Sequence, residues 1–381
     1  MKKQKKIDAF NTNNTKCTIC FVAGKSGGHI IPAITLAKQF VSKNKHIKIT
    51  FFTTNSPLDK KIIIQEIANS KTAIKHIALN LENIPYKKIL QYPLFFTKLA
   101  ISFFKSFFTL IAHRPKKVIS MGGHISLPVC LAAYTLRIPI ELYELNATPG
   151  KAVKFLAPFA TTINTCFKKA VNYFPPKKCK ITQYPIRFAH NIHVNTHTKQ
   201  INPKSIYQKH GFSPKKQTIL ILGGSQGSIA INNIIKQIIT KNPDFCNNIQ
   251  IIHQTGDKDN KDNSGKQKTN WDTFYKKMGI PSHTFGFKSD INAYYRLADL
   301  VICRSGAGTL FETLFFQKPC ITIPLETATT VHQVDNAKEM AKAYPNLVKM
   351  VLQSENIDIL SNMVRKTLAA LPPKNPCNPS N

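Results

Sequence analysis

Apolar residues along the chain fall into short β-branched runs that alternate with amphipathic segments of helical period. In the first half Thr18 to Ala23, Ile47 to Thr53, Lys117 to Ser120 and Pro139 to Tyr143 read as buried strands. In the second half the same holds for Thr218 to Leu222, Ile249 to Gln254, Leu300 to Cys303 and Pro319 to Pro324. Helical patterns run from about Pro32 to Lys43, from about Ala230, from Thr309 to Gln317 and from Asn356 to Ala370. Strands alternating with helices imply an α/β class with parallel sheets covered on both faces.

The pattern weakens over residues 175–210. Pro175-Pro176, Tyr184-Pro185 and the polar run His190 to Lys204 carry little periodicity, which puts a domain boundary near Ile186–Arg187. A chain of 381 residues exceeds what one core usually holds. The expectation is a Rossmann-like domain over 1–186, a second over 187–356, and a C-terminal helix with a tail over 357–381. Residues 1–16 and Pro372 to Asn381 read as disordered or frayed ends, and Asp257 to Asn270 as an exposed loop.

Four of the predicted strands run into glycine turns. These are Gly24-Lys-Ser-Gly-Gly-His29, Met121-Gly-Gly-His124, Gly223-Gly-Ser-Gln-Gly-Ser228 and Ser305-Gly-Ala-Gly308. Strand, glycine turn and helix together aim backbone N–H groups and a helix dipole at an anion. The spacings match neither the dinucleotide fingerprint nor the P-loop. Glu312 falls in the first turn of the helix expected after Gly308, so a carboxylate for a diol accompanies the donors for a phosphate. That combination suggests a nucleotide sugar. The plainer alternative is a turn that packs one βα unit. Ligands of open α/β sheets bind beyond the C-terminal strand ends, so two such sheets facing a central cleft suit a reaction joining two phosphorylated substrates. Two unrelated Rossmann-like domains remain the alternative on this ground.

Composition narrows the partners. The net charge is +34, which calls for an anionic membrane surface, a nucleic acid or a phosphorylated substrate. Basic residues comprise 47 lysines and only six arginines. Base and phosphate readout favours arginine forks, so no nucleic acid is expected. The nine cysteines are scattered, and Cys17-x-x-Cys20 lies inside a predicted strand without a second pair. Reduced thiols are expected, and zinc is not. The basic start is followed by a short apolar run that reads as a core strand rather than a signal peptide. No charge-free apolar stretch reaches about 20 residues, so no spanning helix is expected. Pro93 to His113 is aromatic, with Lys98, Ser102, Lys105, Ser106 and Thr109 in one narrow stripe. Its broad apolar face either meets a bilayer interface, with Lys87, Lys88, Lys98 and Lys105 at anionic headgroups, or packs against the sheet.

Several motifs, in order, resemble the MurG family of N-acetylglucosaminyltransferases. They are Ala23-Gly-Lys-Ser-Gly-Gly-His-Ile-Ile-Pro-Ala33, Met121-Gly-Gly-His-Ile-Ser-Leu-Pro128, Gly223-Gly-Ser-Gln-Gly-Ser228, Cys303-Arg-Ser-Gly-Ala-Gly-Thr-Leu-Phe-Glu312 and His332-Gln-Val-Asp-Asn-Ala337. The resemblance spans about residues 18 to 370. It implies a GT-B fold, with an N-terminal acceptor-binding domain, a C-terminal UDP-sugar domain and a final helix returning to the first. It implies inverting transfer of N-acetylglucosamine from UDP-N-acetylglucosamine to undecaprenyl-pyrophosphoryl-N-acetylmuramyl pentapeptide, without cofactor or tightly bound metal. The setting implied is peripheral, at the cytoplasmic face of the bacterial inner membrane.

The residues carried over by resemblance are Ser26, Gly27, Gly28, Asn146, Arg187 and Ser225 for the donor, with Lys288 touching uracil through its backbone. Ala307, Gly308, Thr309, Leu310, Phe311 and Glu312 would hold phosphates and ribose, and Gln333 and Asn336 the sugar. Gly122, Gly123, His124 and Glu144 fall on the acceptor side. His29 is the candidate general base, since imidazole titrates near neutrality; a hydrogen bond that merely fixes the loop is the alternative. Arg187 either pairs with phosphate or braces the hinge. The chain departs from the family pattern at His124, where tyrosine is usual, and at Tyr143-Glu-Leu-Asn146, where His-Glu-Gln-Asn is usual. It departs again at Gln183-Tyr-Pro-Ile-Arg187, where Gly-Asn-Pro-x-Arg is usual. Another GT-B glycolipid transferase or a UDP-N-acetylglucosamine epimerase would share the donor half. A basic nucleic-acid-binding protein is the distant alternative.

Overall fold

The computed structural model describes residues 17–24, 27–68, 74–82, 89–188, 203–224, 227–256, 270–288, 290–327, 331–355 and 357–371. The chain divides into two compact units. The first comprises Met1–Glu144, Lys151–Asn164 and Lys177–Lys180; the second comprises Leu145–Gly150, Thr165–Pro176 and Ile181–Asn381. Residues 145–181 alternate between the two units, upstream of the boundary expected near Ile186.

The first unit is built on β1 (Cys17–Val22), β2 (Ile47–Thr54), β3 (Ile74–Leu79), β4 (Lys117–Ser120), β5 (Ile140–Glu144), β6 (Thr162–Thr165) and β7 (Cys179–Ile181). Their order in the sheet is β3-β2-β1-β4-β5-β6-β7. The register pairs Phe21 with Phe51 and with Ile119, all parallel. The intervening helices are α1 (Gly27–Lys43), α2 (Pro57–Ala68), α3 (Tyr92–His113), α4 (Ser126–Thr135) and α5 (Lys151–Leu156). Helix α1 begins five residues before Pro32, so this proline lies inside the helix rather than at its start.

Helix α3 turns its polar stripe inward. Ser102 and Ser106 are buried with Phe95 and Leu110, and the Ser106 hydroxyl donates to the Ser102 carbonyl at 2.7 Å. Lys98 pairs with Glu82 at 2.5 Å, and Lys105 donates to the Ala78 carbonyl at 2.9 Å. Leu94, Phe96, Ile101, Phe104, Phe108 and Ile111 are exposed. Its apolar face is thus not packed on the sheet. Lys98 and Lys105 are each bonded within the unit, and Lys105 is exposed.

The second unit follows the same plan with α6 (Pro203–His210), β8 (Gln217–Leu222), α7 (Ile229–Lys241), β9 (Ile249–Gln254), α8 (Trp271–Lys277), β10 (Ser282–Phe285), α9 (Asn292–Leu297), β11 (Leu300–Cys303), α10 (Ala307–Phe315), β12 (Cys320–Thr322), α11 (Val331–Ala343), β13 (Val348–Met350) and α12 (Ile357–Ala369). The order is β10-β9-β8-β11-β12-β13, and every pair is parallel. Isoleucines of β8, β9, β11 and α7 form the core, and Leu360, Val364 and Leu368 of α12 complete it. Gln217 also donates to the Leu368 carbonyl at 2.9 Å. The apolar stripe of α12 thus packs within the second unit.

A hydrogen-bonded histidine is buried in the same unit. His253 of β9 stands between Tyr275, whose hydroxyl is 2.8 Å from Nδ1, and Asn232, whose Oδ1 is 3.0 Å from Nε2. The Asn232 amide nitrogen is used on the Thr255 carbonyl, so Oδ1 accepts and Nε2 carries the proton. Burial pushes the His253 pKa down to about 3 from an ordinary 6.5. Between those values the unfolded chain binds a proton that the folded chain refuses, so stability rises with pH across the window. The contribution is complete above about pH 6.5 and lost as pH falls toward 3. Urea midpoints measured from pH 7 to pH 4 should fall, and His253→Gln should flatten the slope.

Candidate functional site

In both sheets the order reverses at one pair of strands, β1 beside β4 and β8 beside β11. The four glycine turns leave the C-terminal ends of these four strands. This is where an open α/β sheet leaves a crevice for ligands.

In the first unit the turn after β1 carries Gly27, buried, Gly28, exposed, and His29, half-buried in the first turn of α1. Ser26 lies outside the described residues. The turn after β4 holds Gly122 and Gly123 at φ of 81° and 80°, which favours glycine. A Cβ on Gly122 would meet Val153 at 2.7 Å, and one on Gly123 would stand 3.6 Å from His29 Nδ1. The two turns therefore meet at the imidazole. Ser120 and Ser126 fix the second turn: Gly122 N–H donates to Ser120, Ser120 to Ser126, and Ser126 to the Gly122 carbonyl. His124 Nε2 is 3.1 Å from the Leu81 carbonyl, so that nitrogen is a donor to backbone. Glu144 ends β5 and is buried.

In the second unit Gly306 caps α10 with no side-chain hydrogen bond, and Leu310 is the first residue whose N–H bonds back, to Gly306. The N–H groups of Ala307, Gly308 and Thr309 thus head the helix, at the positive end of its dipole. Leu310 is fully buried, and the half-buried Phe311 packs between Phe167 and Tyr184. Because α10 starts at Ala307, Glu312 lies in its second turn, not its first. Its carboxylate accepts from Arg187 at 2.8 and 3.0 Å and from the Tyr295 hydroxyl at 3.2 Å. The Arg187 guanidinium thus pairs with Glu312 within the second unit.

Asn336, expected at the sugar, is engaged by protein groups. It is fully buried, and its amide is filled by Ala147 N–H at 2.8 Å, Asn146 Oδ1 at 3.1 Å and the Ser305 carbonyl at 3.2 Å. It holds Asn146, which remains half-buried. Beside it, Asp335 accepts from Lys169 at 2.8 Å and from the Thr148 hydroxyl. Gln333 Oε1 accepts from Leu325 N–H at 3.1 Å. Lys288 folds its amine onto the Tyr294 hydroxyl at 2.9 Å. Ser225 lies outside the described residues, but its turn is framed by Gly227 at φ 77°, where a Cβ would meet Gly256 Cα at 2.6 Å.

Two residues of the donor turn carry roles that sequence reasoning missed. Arg304 is buried and donates to Ser228, which caps α7, to the carbonyls of Ile323 and Pro324, and to Gln353. One guanidinium thus ties the two glycine turns of the second sheet together. Ser305 is fully buried, and its hydroxyl has no hydrogen-bond partner among the described residues. A buried cation inside an otherwise apolar stretch was the available signal for Arg304.

The comparisons agree with this geometry. Residues 19–165 match the glycosyltransferase family 28 N-terminal domain, and residues 218–376 match the glycosyltransferase family 28 C-terminal domain. The solved structure of Acinetobacter baumannii MurG has a TM-score of 0.63 at 21% identity, covering 94% of this chain and 91% of that one. A UDP-GlcNAc 2-epimerase from Neisseria meningitidis gives 0.56 at 13% identity, covering 92% and 99%. Both share the fold, which is GT-B. A Francisella tularensis protein named UDP-N-acetylglucosamine–N-acetylmuramyl-(pentapeptide) pyrophosphoryl-undecaprenol N-acetylglucosamine transferase is 34% identical over 84% of this chain and 81% of its own length. The chain belongs to the MurG family. Within that family an Anaeromyxobacter dehalogenans relative of the same name is 30% identical over 84% of this chain and 76% of its own.

The Arg187–Glu312 pair is buried, so breaking it leaves one charge uncompensated. Arg187→Ala should cost about 3–5 kcal/mol in unfolding free energy. The paired change of Arg187→Met with Glu312→Leu should cost less than either single loss. Urea unfolding of the three variants measures the difference.

Proposed function

We propose that the chain transfers N-acetylglucosamine from UDP-N-acetylglucosamine to the sugar hydroxyl of undecaprenyl-pyrophosphoryl-N-acetylmuramyl pentapeptide, with inversion at the anomeric carbon. The observation that carries this reading is the uncapped N-terminus of α10 above the Arg187-braced Glu312. The N–H groups of Ala307, Gly308 and Thr309 would receive the charge that grows on the leaving diphosphate. Ser225 and the first glycine turn, with Ser26, Gly27 and Gly28, would add further donor contacts. Glu312, held in one rotamer, would accept from the ribose diol. Asn146 would meet the sugar with Gln333, and Lys288 the uracil through its backbone. No cofactor or metal is assigned to the reaction.

His29 is assigned as the general base, with Gly122, Gly123, His124 and Glu144 lining the acceptor side. Its place beside Gly123, at the meeting of two glycine turns, supports that role. Incubating the protein with UDP-N-acetylglucosamine and a short-chain acceptor should release UDP and form the disaccharide. An epimerase would instead isomerise the donor with no acceptor present. His29→Ala should lower kcat by about 10²–10⁴-fold with donor KM little changed.

The acceptor's polyprenyl anchor calls for work at a membrane surface, and α3 supports a peripheral seat at the cytoplasmic face of the inner membrane. Its exposed Phe96, Phe104 and Phe108 form an apolar face on a chain of net charge +34. Phe104→Ser with Phe108→Ser should weaken binding to anionic liposomes while turnover of a short-chain acceptor persists. Equal binding of wild type and variant would remove α3 from the contact.

A further inference from the structure

Tyr184 occupies the position where the family pattern has asparagine. It is buried, and its ring stacks on Phe311 of α10 with centroids 4.9 Å apart and planes at 17°. Its hydroxyl oxygen lies 3.0 Å from the point a Cβ on Gly308 would take. It therefore stands over the first turn of α10, beside the N–H groups that head that helix.

The neighbouring polar groups are already engaged. Arg187 and Tyr295 are bonded to Glu312, and the Asn336 amide is filled. The Tyr184 hydroxyl makes no hydrogen bond among the described residues. The fully buried Ser305 hydroxyl, two residues before α10, has none among them either. A native interior rarely leaves a fully buried group such as the Ser305 hydroxyl unmatched. The unbonded Tyr184 hydroxyl and the N-terminus of α10 thus adjoin at Gly308. Burial, and then the Glu312 carboxylate, raise the Tyr184 pKa well above its ordinary value, so the phenol keeps its proton.

We propose that the Tyr184 hydroxyl donates a hydrogen bond to the diphosphate of the bound nucleotide sugar. The inference rests on the transferase reading given above. It adds to that reading a binding residue at a position where this chain departs from its family.

Isothermal titration with UDP, and with uridine as the phosphate-free probe, tests it. Tyr184→Phe keeps the stack on Phe311 and should raise the Kd for UDP by about tenfold. Uridine binding should be unchanged, and Tyr184→Asn should recover part of the loss. Gly308→Ala should weaken UDP binding in the parent. It should add little in the Tyr184→Phe background, because without the hydroxyl the nearest ring carbon is 3.8 Å from the new methyl. UDP affinity equal to wild type in Tyr184→Phe, or an equal loss for uridine and UDP, would overturn the proposal. So would strict additivity of the two substitutions. A wild-type protein that binds no UDP would overturn the transferase reading, and this inference with it.

Discussion

The constraint on which the site depends is close backbone approach at the ends of four central strands. A parallel sheet wound in both directions from its middle leaves a crevice where the winding reverses. Only backbone with little or no side chain can turn there and still present N–H groups to a ligand. The glycines at 122, 123 and 227 meet that requirement with positive φ or with no room for a Cβ. Both sheets use the same solution, so each unit ends in a pair of glycine turns after its two central strands. The helices that follow supply the dipoles, and their apolar faces pack back on the sheet to hold the turns in place.

Around the donor turn, rigidity comes from buried polar groups that bond to one another. Arg304 joins the α7 cap to the ends of β12, Arg187 clamps Glu312, and Asn336 fastens Asn146 to the Ser305 carbonyl. Each is satisfied within the second unit, which is the condition under which burying charge or amide is tolerated. The consequence is a division of labour. Asn336 and Arg304 are committed to holding other residues. Ser305 and the N–H groups heading α10 keep hydrogen-bonding capacity for a ligand.

Much of this was legible in the sequence. The strands Lys117–Ser120, Ile249–Gln254 and Leu300–Cys303 lie where the β-branched runs put them. Helix starts were less legible. Helix α1 begins in glycines of low propensity, and α10 begins two residues early at Ala307, because tertiary packing overrides local preference there. That shift moved Glu312 from the first turn to the second. The partners of Glu312 and Asn336 could not be read at all, since they come from residues 125 and 190 positions away. The packing partners of α12 could not be read either, because an apolar stripe shows that a face is buried without showing against what.

Helix α3 carries the same lesson in the opposite sense. Its period separates a polar stripe from an aromatic face, and intuition puts the polar side in water. Here the serines point inward at little cost, because Ser106 bonds to the Ser102 carbonyl of its own helix. Lys98 and Lys105 lie along the unit's surface and find Glu82 and the Ala78 carbonyl, so their charges need not be stripped of solvent entirely. His113 at the end of the helix bonds to Thr50 and lies 2.8 Å from Lys75, which fixes the rotation of the whole helix. With the polar side satisfied by protein, the aromatic side is left outward by geometry rather than by a failure of packing. A contiguous exposed apolar surface of this kind is uncommon on a protein that meets only water. Its rotation is held by hydrogen bonds and an ion pair within the first unit, so the face is a built feature of the fold.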